Sequence, residues 1–328
     1  MAVTHGGNIF EIAREHGWDW REVTDFSASI NPLGPAPGVA PAICKAIDRI
    51  AHYPEREPSI LRHSLAKLWE VDESQILLGN GATELLHFFA RITHHENVTL
   101  SLPAFSEFHR AYPEAAPSAD GLLVLTQPVN PTGAVLETEI LERHLFGTRR
   151  PVLIDESFLD FTGLPSAACF LDRRPHLYIL RSLTKFYALP GLRIGALLAS
   201  AGTIAEWRRH REPWQVNVLA EAAALAAITD SAHAFRSREY VNTERTWLSE
   251  ELASLRGVHV EPSHANYLFA RLDYPAAGLY QHFLEARMLI RNCVGTPGIE
   301  GEAVRIAVRT RAENQRLMAR WKDYPWAA

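Results

Sequence analysis

The sequence predicts an α/β protein: a large domain whose mostly parallel sheet is flanked by helices, followed by a smaller α+β domain at the C-terminal end. Three observations predict it. From about residue 40 to Leu198, short apolar runs alternate with helix-like stretches, the pattern of a parallel sheet with crossover helices. From Ala205 to Leu255 the pattern is helical, with a dense apolar face. The tail then alternates again, with strands expected at 265–270 and 304–308 and helices at 276–287 and 311–321. A chain of 328 residues, 47% of them hydrophobic, is long enough to bury both cores. The expected divisions are an N-terminal arm over 1–37, the large domain over 38–215, and an interdomain helix with the small domain over 216–328.

Taken in order, the arm is irregular and Pro/Gly-rich at its end, and an amphipathic stretch over 40–50 predicts a helix. In Leu78-Gly79-Asn80-Gly81-Ala82-Thr83, a glycine turn opens a helix that runs through Phe88, Phe89 and Ile92. Bare N–H groups and the positive end of the helix dipole make Gly81, Ala82 and Thr83 a candidate phosphate cradle. Phe105 is either a core aromatic or a ring that stacks on a ligand. The apolar run 122–125 empties into Gln127-Pro128-Val129-Asn130-Pro131-Thr132-Gly133, a forced turn that can aim the Asn130 amide. Val152-Leu153-Ile154 delivers Asp155 at a strand end, where open α/β sheets keep their ligands. The run 177–180 leads into Arg181-Ser182-Leu183-Thr184-Lys185, with Arg193 shortly after.

A single lysine is ordinarily a solvated surface charge. Lys185 differs because hydroxyls, a guanidinium and a strand-end carboxylate accompany it in this order. A lysine amine with a lowered pKa can capture an aldehyde, and pyridoxal phosphate supplies both an aldehyde and a phosphate to hold. Lys185 then takes the aldehyde, Ser182 and Arg193 the phosphate, Asp155 the pyridinium nitrogen and Asn130 the 3′ oxygen.

With these motifs the chain resembles the fold type I pyridoxal phosphate enzymes of the class I and II aminotransferase family, from about Asp25 to its end. Within that family it is similar to the histidinol-phosphate aminotransferases. It is still more similar to the threonine-phosphate decarboxylases of cobalamin biosynthesis, through His5-Gly6-Gly7-Asn8, the run from Asp25 to Gly34, and Arg305-Ile306-Ala307-Val308-Arg309-Thr310. The resemblance implies that Arg305 grips a substrate carboxylate with support from Arg291, and that His5 and Asn31 reach the substrate's phosphate. It also implies a homodimer with shared active sites, in which Tyr53 crosses to the partner's cofactor phosphate. Two features depart from the family: Phe158 stands where the histidinol-phosphate enzymes carry a tyrosine, and the segment from Tyr112 to Leu122 is short.

Composition narrows the alternatives. A net charge of -5 and a pI near 6.3 leave no basic stripe for nucleic acid. Cys44, Cys169 and Cys293 are far apart, and the 15 histidines form no ligand-spaced cluster, so free thiols and no metal are expected. The start has no charged segment followed by an apolar one, and the most apolar segment, 218–228, is too short to span a bilayer, so a cytoplasmic protein is expected. The expected reaction is decarboxylation of phosphothreonine, a small phosphorylated amino acid; the alternative is an aminotransferase of the histidinol-phosphate type. A non-catalytic binding protein on the same fold is a third reading, against which Lys185, Asp155 and Arg193 stand.

Overall fold

A computed structural model describes residues 6–326. The arm leads through a short strand β1 (Thr24–Asp25) to six strands of a central sheet: β2 (Ile76–Gly79), β3 (Val98–Leu100), β4 (Leu122–Thr126), β5 (Val152–Asp155), β6 (Leu177–Ser182) and β7 (Gly195–Leu198). Their order is β2-β7-β6-β5-β4-β3. The β3 to β6 ladders are parallel, as the buried apolar runs predict, whereas β7 runs antiparallel between β2 and β6. Residues 183–194 are therefore the turn between two neighbouring antiparallel strands rather than a crossover, and Lys185 sits in that turn. Thr126, Asp155 and Leu180 stand side by side in register, so the loops after β4, β5 and β6 leave the sheet at one edge.

The short segment 112–121 holds no helix or strand, and β3 is the edge strand. The segment folds over that edge: Ala116 N donates to Val98 O at 3.0 Å, and Ser118 N to Thr99 Oγ1 at 3.0 Å. Arg150 pins it by donating to Ser118 O at 2.9 Å and Gly121 O at 3.0 Å. Covering an edge in this way blunts its tendency to pair with another chain.

The helical stretch expected over 205–255 is three helices, Ala201–Arg209, Val218–Thr229 and Ser231–Ala253. Asp230 breaks the last two apart, because its carboxylate caps the third helix by accepting from His233 N at 2.8 Å. Among the described residues no single helix is long and apolar enough to cross a membrane. The tail adds β8 (Val258–Val260), β9 (Tyr267–Leu272), β10 (Met288–Leu289), β11 (Arg291–Asn292) and β12 (Glu302–Ala307), of which β11-β12-β9-β8 form an antiparallel sheet. Its helices are Ala276–Glu285 and Arg311–Lys322, the second opened by a capping box of Thr310 and Glu313. β1 pairs in parallel with β10, so the arm is built into the C-terminal layer, around a core that includes Phe26, Phe283 and Trp321.

Candidate active site

The common edge of β4, β5 and β6 faces a cavity of about 1410 Å³, closed on its far side by the arm and by β11 and β12. Lys185, Asp155, Asn130, Ser182, Arg193, Phe105, Ala82 and Thr83 all line it. Lys185 Nζ donates to Thr184 Oγ1 at 3.0 Å, and that hydroxyl lies 2.8 Å from Ser182 Oγ. Burial, with Arg193 and Arg305 nearby, lowers the Lys185 pKa to about 8 against the smaller opposing pull of Asp155. Asp155 is buried, and Ser157 N and Oγ donate to its Oδ1 at 2.9 and 2.5 Å. Burial pushes its carboxyl upward, with Glu156 adding to the push, while the Ser157 bonds and Lys185 oppose it.

The helix start at Gly81 is built as its glycines predict. Gly81 caps the helix Ala82–Thr93 with φ +89°, and a Cβ there would collide with the Arg193 guanidinium. Only a residue without a side chain lets that guanidinium close over the helix N-terminus. Opposite, Arg305 Nη1 donates to Asn130 Oδ1 at 2.6 Å and its Nη2 to Ser27 O at 2.6 Å. Arg291 is the cross-strand partner of Arg305, and neither forms an ion pair among the described residues. Burial and the neighbouring Arg305 lower the Arg291 pKa. Two like charges in register weaken a sheet, and a pair so placed on a cavity wall can hold an anion.

The structure does not bring every expected residue to the cavity. His5 lies outside the described residues. Asn31 is buried beside the cavity rather than on its wall: its Nδ2 donates to Phe186 O and Ser237 Oγ, both at 2.8 Å, and its Oδ1 accepts from Leu33 N. Its backbone N–H donates to Lys185 O at 3.0 Å, so Asn31 pins the Lys185 turn. Asn31→Ala is expected to cost stability by about 1–3 kcal/mol, the penalty for orphaned buried groups, while leaving substrate KM nearly unchanged; thermal unfolding and steady-state kinetics on the same preparation check this. Tyr53 is 81% exposed, stacked on Trp214 with ring centroids 4.5 Å apart, and outside the cavity.

Two residues that sequence reasoning passed over do line the wall. Ser29 is buried there, and its hydroxyl has no partner among the described residues. Nothing in the local pattern separates it from Asn31; the chain reverses between them, where Ile30 N donates to Ala28 O. Arg309, held by Asp25 O at 3.0 Å and Glu313 at 2.7 Å, adds a third guanidinium. It belongs to the run that supplies Arg305, and its alternate spacing from Arg305 is the signal that could have found it.

Residues 105–320 match the family model described as aminotransferase class I and II. The chain belongs to that family. It is 35% identical to the threonine-phosphate decarboxylase of Salmonella typhimurium over 96% of this chain and 94% of that one. Among solved structures it is similar to the histidinol-phosphate aminotransferase from Clostridium acetobutylicum, with a TM-score of 0.85 and 25% identity over 92% of this chain and 98% of that one. It is also similar to the L-threonine-O-3-phosphate decarboxylase from Porphyromonas gingivalis, with a TM-score of 0.83 and 26% identity over the same shares.

This aminotransferase-family chain is a pyridoxal phosphate enzyme, and its donor set fits the cofactor. A buried carboxylate with no ion pair among the described residues at Asp155 suits a pyridinium N–H; the amine of Lys185 suits the aldehyde; the Arg193 guanidinium, Ser182 and the helix start at Ala82 suit the phosphate. When bound, pyridoxal phosphate supplies an electron sink for charge left at a substrate's α carbon.

Proposed function

We propose that this enzyme decarboxylates O-phospho-L-threonine to an aminopropanol phosphate, a step in the assembly of cobalamin. The observation that carries this reading is the Arg291–Arg305 cross-strand pair, with Arg309 beside it and, among the described residues, no acid neutralising the first two. A substrate bearing both a carboxylate and a phosphate brings about three negative charges near neutral pH, which suits such a wall. The arm supports the same reading, since Gly6, Gly7, Ile9 and Phe10 line the cavity beside Ser29. So does the 35% identity to a threonine-phosphate decarboxylase over nearly the whole chain.

In this reaction the bond from the α carbon to the carboxylate breaks, carbon dioxide leaves, and a proton takes its place. The arginines would hold the substrate's anionic ends and so select which bond at its α carbon breaks. Asp155 would hold the proton on the ring nitrogen of the bound cofactor. Lys185 supplies the replacing proton, and a pKa near 8 lets it do so close to neutrality. Tyr53, exposed and stacked on Trp214, is available to a second copy, and a homodimer with shared sites fits that placement.

A product assay decides between this reading and transamination. The holoenzyme given O-phospho-L-threonine is expected to release carbon dioxide without consuming a keto acid. Turnover of histidinol phosphate with 2-oxoglutarate, with phosphothreonine left untouched, would replace the decarboxylase by an aminotransferase.

A further inference from the structure

Tyr267 opens β9 and is wholly enclosed. Its ring meets Phe158 edge-on at 5.0 Å between centroids, and the Arg305 guanidinium lies 5.2 Å from the ring centroid. Its hydroxyl donates to Val129 O at 2.9 Å, one residue before Asn130. Because Arg305 Nη1 in turn donates to Asn130 Oδ1, the contacts close a circuit: Tyr267 ring, Arg305, Asn130, Val129 and back to the Tyr267 hydroxyl. The residues just before β9 brace the same turn. His264 N donates to Gly133 O at 2.8 Å, and Ser263 packs so closely on Gly133, whose φ is +79°, that a side chain there would strike it.

We propose that Tyr267 is a positioning residue that ties the aim of the Asn130 amide to the seating of Arg305, so that the cofactor-facing and substrate-facing donors move as one unit. Each donor is otherwise loosely held. A terminal amide torsion is broad and nearly two-fold, and with Oδ1 committed to Arg305 the Nδ2 of Asn130 is turned the other way. Arg305 Nε is buried without a partner among the described residues, so the guanidinium depends on Asn130, Ser27 O and the face of Tyr267. Phe158 brings no hydroxyl to this neighbourhood. The hydroxyl of Tyr267 serves it from behind the cavity wall by fixing the turn.

The inference rests on Asn130 as the donor to the cofactor's 3′ oxygen. Tyr267→Phe tests it with the fold preserved, because the ring contacts remain and Val129 O still accepts from Gly133 N at 2.6 Å. A donor on the cofactor's phenolic oxygen favours its anionic form, so a loosened Asn130 lets the proton stay to higher pH. In the Tyr267→Phe holoenzyme the titration of the visible band is expected to move up by about half a pH unit. KM for O-phospho-L-threonine is expected to rise about five-fold, with the melting temperature of the cofactor-free protein within about 2 °C of the parent. Asn130→Ala, measured in parallel, separates the two ideas: if it moves the band and Tyr267→Phe moves neither band nor KM, the role of Tyr267 is overturned. If Asn130→Ala leaves the band in place, the assignment of Asn130 falls and the coupling with it. The band needs no turnover, so the result stands whatever the substrate proves to be.

Discussion

Lys185→Ala is expected to lose turnover by about 10⁴-fold, the upper end of what one proton-transferring group contributes, and to lose every borohydride-reducible bond to the cofactor. The expectation follows from placement: Lys185 lies in the turn between β6 and β7, on the cavity wall, with its amine on Thr184 Oγ1. Mass spectrometry of the reduced protein is the direct check, and a reducible adduct surviving in the variant would assign the chemistry to another amine. The lowered pKa adds a second measurement. Only the neutral amine attacks an aldehyde, so capture of pyridoxal phosphate by the cofactor-free parent should speed up as pH rises through about 8.

Asp155→Asn is expected to cut turnover by about 10²–10³-fold, the usual loss when one fixed charge partner is removed, because a neutral amide cannot keep the ring nitrogen protonated. Its effect on stability should have the opposite sign. Burial raises the Asp155 carboxyl above its unfolded value, so the folded protein holds that proton more tightly than the unfolded chain does. The contribution to stability is complete below the unfolded pKa and is lost as pH rises through the raised one. Above its unfolded pKa the cofactor-free parent therefore carries the cost of burying an ionisable carboxyl. Asparagine removes it and still accepts the Ser157 bonds, so the cofactor-free variant should melt higher than the parent at pH 7 and show a smaller fall in melting temperature with rising pH. Differential scanning calorimetry across pH 5–8 tests this; a lower melting temperature for the variant throughout would mean that the charge is compensated in the folded protein.

Each outcome separates what a local pattern specifies from what it leaves open. The strands β4, β5 and β6 are legible because a buried parallel strand needs an uninterrupted apolar run, and the polar residues that end each run are therefore the ones the sheet edge presents. Asn130, Asp155, Ser182 and Lys185 could be read for that reason, and the Gly81 turn because a positive φ before a helix selects glycine.

The arm was legible only as composition, whereas the strands and helices of the tail could be read from their alternation. Ser29 and Asn31 are two small polar residues in one turn, and the packing of that turn on the Lys185 loop and on Ser237 turns the second inward and leaves the first on the cavity wall. The antiparallel direction of β7 is likewise set by its neighbours β2 and β6, since a short apolar run carries no sign of its direction.

By itself the sequence determined the class of fold and the cofactor, and it picked out Asn130, Asp155, Ser182, Lys185 and Arg193, which the fold brings to one cavity, since these depend on side-chain type at strand and helix ends. The tertiary structure alone decided that Arg291 faces Arg305, that Arg309 joins them, that Asn31 bonds to Ser237, and that Tyr267 reaches Val129. The first two follow from the β11–β12 pairing and the chain that leaves it, whereas the Asn31–Ser237 and Tyr267–Val129 contacts join residues far apart in the chain and exist only once the elements have packed together.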